Sequence, residues 1–229
     1  MQSPDFARFG TQSLAPADLI FLFERFPASN VDAVEAARRV IEQPSTLESL
    51  LESRFVVKAV LEPDSASLSV SPRLFFNVLL RHCLPGRREA AEREALNYLA
   101  NVLALFVRTD RLYRVQAGDG KAHEYLVDLV AEAADANPER QFLVCTHIGN
   151  YAMFLSGVCA PWIEHRRRFR RRPLSLDYYR GMGRSYYASA ARHPRAQDLH
   201  LRGVFGQLSQ RFDYYRSGLE RLSRRAWAA

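Results

Sequence analysis

A chain of 229 residues that is 48% hydrophobic, with only 11 glycines, is long enough to bury a substantial core and too apolar to stay disordered. Its formal charge of +7 is one-sided: residues 1–139 carry 15 Lys+Arg against 20 Asp+Glu, whereas residues 140–229 carry 17 Arg, no Lys and 5 acids. The net of −5 followed by +12 directs the second half toward an anionic partner, or toward its own acidic first half. Cys83, Cys145 and Cys159 show no zinc-type spacing, and MQSPDFARFG lacks the basic and apolar regions of a secretory signal. The longest apolar run, 142–163, is interrupted by Thr146, His147, Asn150 and Ser156, short of the roughly 18 apolar residues of a membrane span. The expectation is a reduced, cytoplasmic chain with no transmembrane segment.

Residues 1–14 read as a loose leader. Pro16 suits a first helical turn, and ADLIFLFERF arranges Leu19, Phe23 and Phe26, with Ile20 and Leu22, around a helical face that Pro27 ends. Asn30 caps a helix over 31–43, with Val31, Val34, Ala37 and Ile41 inward. Ser45 and Glu48 have capping-box spacing before one helix over 46–62. A polar loop, DSASLSV, leads to Ser71-Pro72, an N-cap followed by proline at the first position. The helix RLFFNVLLRHCL then runs to Pro85-Gly86.

Residues 87–108 form the strongest helical pattern, with Ala91, Ala95, Leu99, Val102, Leu103 and Phe106 on one face and Glu89 and Glu92 in the first turn. LYRVQ, near 112–116, has the composition of a short strand before a Gly-Asp-Gly turn. HEYLVDLVAEAA is helical up to Asn137-Pro138. QFLVCTH fits either strand or helix; helical neighbours and the lack of a pairing strand favour helix. Pro161 and Pro173 bracket WIEHRRRFRRR. A helix follows from about Ser175, loosened at Gly181 and Gly183, and His193-Pro194 ends it. A final long helix places Leu201, Val204, Phe205, Leu208, Phe212, Tyr215, Leu219 and Leu222 on one face. The fold expected is a single all-α domain over 1–229, with eight to ten helices and room for one short strand near 112–116.

Arg166, Arg167, Arg168, Arg170, Arg171 and Arg172, interrupted only by Phe169, form the densest charge in the chain. On a helix they occupy most of the circumference, so an internal acidic partner does not reach them all. Guanidinium forks suit phosphate, and Phe169 is placed to stack on a base. Tyr178, Tyr179, Arg180 and Arg184 continue an aromatic and basic pattern, as do Tyr186, Tyr187, Arg211, Tyr214, Tyr215 and Arg216. The competing account is a solvated helix end, with Glu164–Arg168 as an i,i+4 pair and the tyrosines in the core.

THIGNY, residues 146–151, resembles locally the H-x-G-N-W-[ED] motif of the lauroyl/myristoyl lipid A acyltransferase family. His147, Gly149 and Asn150 match, and Tyr151 stands for the tryptophan. The resemblance implies an apolar strand running into His147 as a general base oriented by an acid five residues on. Ala152 occupies the acidic position, so the orienting group is missing. The competing reading puts His147 and Tyr151 on one helical face, with the imidazole bonded to Tyr151, Asn150 or a backbone carbonyl.

His82, His123, His147, His165, His193 and His200 are scattered without metal-ligand spacing, and no P-loop, GxGxxG or GxSxG motif occurs. Neither a metal nor a cofactor is expected. The sequence therefore reads as a non-enzymatic regulatory or assembly protein whose arginine-rich half binds an anionic partner, foremost the RNA or DNA backbone. The alternatives are a divergent acyltransferase-like enzyme using His147 and Asn150, and a self-assembling homo-oligomer in which the two charged halves meet.

Overall fold

The computed structural model describes residues 3–9, 14–24, 44–61, 70–86, 88–169 and 174–226; of Arg167, Arg168 and Phe169 it describes the backbone alone. The helix expected after Asn30 and most of the polar loop before Ser71 lie outside them. The described residues are 79% helical, with thirteen α-helices and no strand. A 3-10 turn at Asp5–Ala7 precedes α1 (Pro16–Glu24), α2 (Pro44–Glu52), α3 (Arg54–Leu61), α4 (Pro72–Cys83) and α5 (Ala90–Phe106). After these come α6 (Thr109–Tyr113), α7 (Leu126–Asp135), α8 (Pro138–Gly157), α9 (Ala160–Phe169) and α10 (Leu176–Arg192). The chain closes with α11 (Pro194–Asp198), α12 (Arg202–Gln210) and α13 (Phe212–Ala226).

The count exceeds eight to ten because two expected helices are broken and two connectors are helical. The helix expected over 46–62 stops at Ser53, whose hydroxyl accepts from the Phe55 N–H at 3.3 Å and so starts α3. The final helix kinks at Arg211 (φ −109°, ψ 32°) between α12 and α13. Residues 112–116 are not a strand: Leu112 and Tyr113 end α6, and the extended stretch beyond pairs with no other strand among the described residues. Its carbonyls are occupied otherwise, Arg114 O by the Arg111 guanidinium (2.6 Å) and Tyr113 O by the His123 N–H (2.7 Å). Ser45 and Glu48 make no capping box, because the helix already begins at Pro44 and Ser45 lies inside its first turn; the Glu48 carboxylate takes Arg81 at 2.7 Å.

The starts expected near Pro16, at Ser71 and at Ser175 are found, whereas the helices expected from residues 87 and 123 begin three residues later, at Ala90 and Leu126. Ser71 accepts from Leu74 N (3.2 Å), and its own N–H and hydroxyl donate to the buried Asp18, tying α1 to α4. The break expected at Asn137-Pro138 follows the end of α7 at Asp135, and Asn137 also caps α8 by accepting from Arg140 N at 3.0 Å, with Pro138 in the first turn. Ser175 caps α10.

The central element is α8. Phe142 and Met153 belong to the main core, with α4, α5, α12 and α13 around it. Val144, Cys145, Ile148 and Leu155 belong to a second core with Leu126, Leu129, Ile163 and Tyr179. A helix with apolar side chains all round must be buried all round, and α8 is. Its closest partner is α10. A Cβ on Gly149 would stand 2.8 Å from the Tyr187 ring, and one on Gly183 would overlap Phe212. Gly149 thus lets α8 and α10 approach, and Gly183 lets α10 approach α13, with Ala152 of α8 at 3.3 Å. Gly181 and Gly183 do not loosen α10, which is continuous.

One polar knot lies inside this packing. Asn150 Oδ1 accepts from Tyr98 OH of α5 and Tyr187 OH of α10, each at 2.9 Å, and all three side chains are buried. A buried hydroxyl left unpaired costs about 1–3 kcal/mol. Asn150→Leu is therefore expected to lower the urea-unfolding free energy by roughly 2–4 kcal/mol, and adding Tyr98→Phe should recover part of that loss rather than add to it. Gly183→Ala is expected to cost about 1–3 kcal/mol by overpacking against Phe212, measured the same way.

Candidate functional site

The arginine run starts on α9. Between α8 and α9 the chain bends by 78°. Val158 N still bonds Phe154 O (2.8 Å), and Ile163 N bonds Cys159 O (3.0 Å), so the corner is closed by ordinary backbone bonds. Ile163 is buried in the second core, while Trp162 is half exposed and carries the Arg166 guanidinium over its ring at 4.5 Å. Arg167, Arg168 and Phe169 continue the same helix; Arg170, Arg171 and Arg172 lie outside the described residues, as does any pairing of Arg168 with Glu164.

Beside Arg166 opens a cleft of about 900 Å³ between α9, the start of α10, the segment from Tyr113 to Val127, and Tyr151 and Leu155 of α8. Ten large apolar side chains are exposed among the described residues, and six of them line this cleft: Tyr113, Tyr125, Val127, Trp162, Leu174 and Tyr178. Exposed apolar groups scattered singly need no explanation, but their gathering in one concavity marks a binding surface. Tyr151 and Tyr179 also line it. Burial pushes the Tyr151 phenol up to about 12, so it stays neutral near pH 7.

A loop wall needs bracing, and charge supplies it. Arg140 of α8 donates to Glu132 (2.6 Å) and to Asp119 (2.9 Å), and Asp119 also accepts from Gln116 N (3.0 Å). His123 Nε2 lies 2.6 Å from the Glu132 carboxylate. Arg111 reaches Asp5 at 2.6 Å, locking the other end of the segment to the N-terminal turn. The second core forms the floor.

Other predicted contacts are placed differently. In each tyrosine pair one ring is buried and its neighbour faces outward: Tyr179, Tyr187 and Tyr215 are inside, while Tyr178 is exposed and Tyr186 and Tyr214 are half-buried. Of the pairs, Tyr178 and Tyr179 alone line the cleft. Arg180 grips Asp213 of α13 with two bonds, at 2.7 and 2.9 Å, and Arg184 joins the same carboxylate. This double grip holds the Asp213 carboxyl below its usual range. Arg211 pairs with Glu92 and stacks on Tyr214 (4.3 Å), and Arg216 pairs with Glu220 at 2.9 Å. The cleft itself is not legible in the sequence, because three distant segments build it.

THIGNY lies in the middle of α8, so the strand implied by the acyltransferase resemblance is absent and QFLVCTH is helical. His147 is 4% exposed, its Nε2–H donates to Leu112 O at 3.1 Å, and its ring stacks over Tyr151. A backbone carbonyl thus satisfies the imidazole, one of the partners expected for it. Asn150 faces the polar knot with Tyr98 and Tyr187. The three cysteines are free, and burial raises each thiol, Cys159 to about 11. Among the described residues there is no cluster of three or more His, Cys, Asp or Glu side chains able to hold a metal, and no single helix is long and apolar enough to cross a membrane.

Burial lowers His147 from its ordinary 6.5 to about 4. The folded chain then binds this proton less tightly than the unfolded chain. Stability from this residue is complete above about pH 6.5 and is lost as pH falls toward 4, by roughly 3 kcal/mol in all. Urea unfolding at several pH values should show this slope, and His147→Gln should flatten it over that window even if it also lowers stability at pH 7.

No protein-family model, curated protein or solved structure matches this chain.

Proposed function

We propose that the protein is a non-enzymatic regulatory or assembly factor that binds an anionic polymer, the RNA or DNA backbone, through the arginines from Arg166 to Arg172. The observation that carries this reading is how the remaining charge is used. Four of the five acids in residues 140–229, Asp177, Asp198, Asp213 and Glu220, are in ion pairs with arginines outside the run. Arg140, Arg195 and Arg211 reach across to Glu132, Glu139 and Glu92 of the acidic half. Internal pairing therefore absorbs much of the basic surplus elsewhere, and of the five acids in residues 140–229 only Glu164 stands outside these pairs. Six like charges within seven positions repel one another, and a row of phosphates relieves that repulsion. The exposed Trp162 and Tyr178 beside Arg166 add the aromatic surface that nucleic-acid binders use. The buried, neutral His147, held by Leu112 O, gives acyl transfer no comparable support.

The test is the affinity for labelled generic RNA and DNA at several salt concentrations. The native protein is expected to lose affinity linearly in log–log form, with a slope implying about four or more neutralised phosphates. Replacing all six arginines by glutamine should remove most of that slope, and His147→Ala should leave it unchanged. Negligible binding at low salt would overturn the reading.

A further inference from the structure

Resting on that reading, we infer that the cleft beside Arg166 receives unpaired bases, so that the protein selects single-stranded over duplex nucleic acid. The first reason is the chemistry of the walls. Trp162, Tyr113, Tyr125 and Tyr178 are 50%, 38%, 65% and 39% exposed, and each offers a ring face or edge to the same space. Keeping four aromatic side chains wet forgoes the burial that usually stabilises them. A ligand with planar faces of its own restores it. Nucleobases have such faces whatever their sequence, and the phenol hydroxyls supply donors and acceptors for base edges and sugars.

The second reason is continuity with the charge. Arg166 belongs both to the arginine run and to the cleft, and its guanidinium already stacks on Trp162 at 4.5 Å. A phosphate held by Arg166 therefore has its base beside the cleft that Arg166 itself lines. Glu124 is the one carboxylate lining the cleft among the described residues, so the opening does not repel the backbone strongly. The third reason is size and access. At about 900 Å³ and open on one side, the cleft lies within the range of about 300–1,000 Å³ typical of small-ligand sites. Bases in a duplex are stacked on both faces and turned toward their partners. Only unpaired bases can enter a recess lined by rings.

The experiment uses the full chain carrying Trp227→Phe, which leaves Trp162 as the only tryptophan. A short oligonucleotide is titrated at low salt as a single strand and as the matching duplex, following both anisotropy and Trp162 fluorescence. The single strand is expected to bind about ten-fold more tightly and to quench Trp162, and Tyr178→Ala should weaken it about ten-fold with little effect on the duplex. Tyr125→Ala, at the most exposed of the four rings, repeats the test if Tyr178→Ala lowers the melting temperature. Equal binding of both forms without quenching, abolished by replacing the arginines, leaves the backbone reading standing and overturns this one. Quenching by oleate but not by the oligonucleotide also overturns it, because the cleft would then belong to an amphipathic acid. Absence of binding to either form overturns both readings.

Discussion

The Asn150 carbonyl holds two tyrosine hydroxyls from two different helices in a space closed to water. Each of the three groups needs the other two. Remove the acceptor and two donors are stranded; remove a donor and the amide loses a partner it cannot replace with solvent. Through this knot α5 and α10 are held against α8, and the register of the three is set by hydrogen bonds rather than by oily contact alone. The close approach at Gly149 accompanies it, since the Tyr187 ring whose hydroxyl reaches Asn150 passes where a Cβ on Gly149 would stand. The start of α10 is thereby carried to the cleft, where Tyr178 and Tyr179 form one wall.

Arginine has two separate uses in this chain. Some guanidiniums work as internal struts. Arg81 lies between Asn77, Glu48 and Asn97; Arg140 braces the wall of the cleft; Arg180 and Arg184 meet at Asp213 to join α10 to α13. The buried Arg81 fork is strong because its charge is fixed and hydrogen-bonded, so removing Glu48 would leave it uncompensated, whereas the half-exposed Arg180–Asp213 cluster is screened by solvent and serves mainly to fix orientation. The run on α9 is different in kind. It packs six arginines into seven positions, and the helix on which it starts, α9, is turned by 78° from the line of α8.

The segment around His147 shows how little a short motif decides. The histidine, glycine and asparagine match an acyltransferase pattern, yet on a buried helix the same residues take other tasks. Gly149 admits a tyrosine ring, Asn150 binds two phenols, and His147 stays neutral beneath a carbonyl of α6. A general base needs access and a group to orient it; here the orienting position is Ala152, fully buried.

Much of the helical order was legible in the residues. Proline after serine marked the start at Ser71, because a side-chain oxygen meets the orphan N–H groups where proline has none to offer; Asn137-Pro138 was read only as the end of one helix, although the same chemistry caps the next. The apolar period from Leu201 to Leu222 identified eight buried positions correctly, since a helix face must match the core it covers. The breaks at Ser53 and Arg211 carried no proline or glycine and escaped notice. LYRVQ looked like a strand because local composition does not say whether a partner strand exists. Glu48 looked like a cap, but the helix already begins at Pro44, and Arg81, distant in the chain, takes its carboxylate. The tyrosine pairs were read as one surface, although neighbours on a helix point about 100° apart, so one of each pair had to face inward. Sequence alone determined the all-α class, the charge asymmetry and the arginine run, because these depend on residues near one another in the chain. The cleft, the Asn150 knot and the internal use of Arg180 and Arg184 were decided only by tertiary structure, because each joins side chains from segments whose separation in sequence carries no record of their meeting in space.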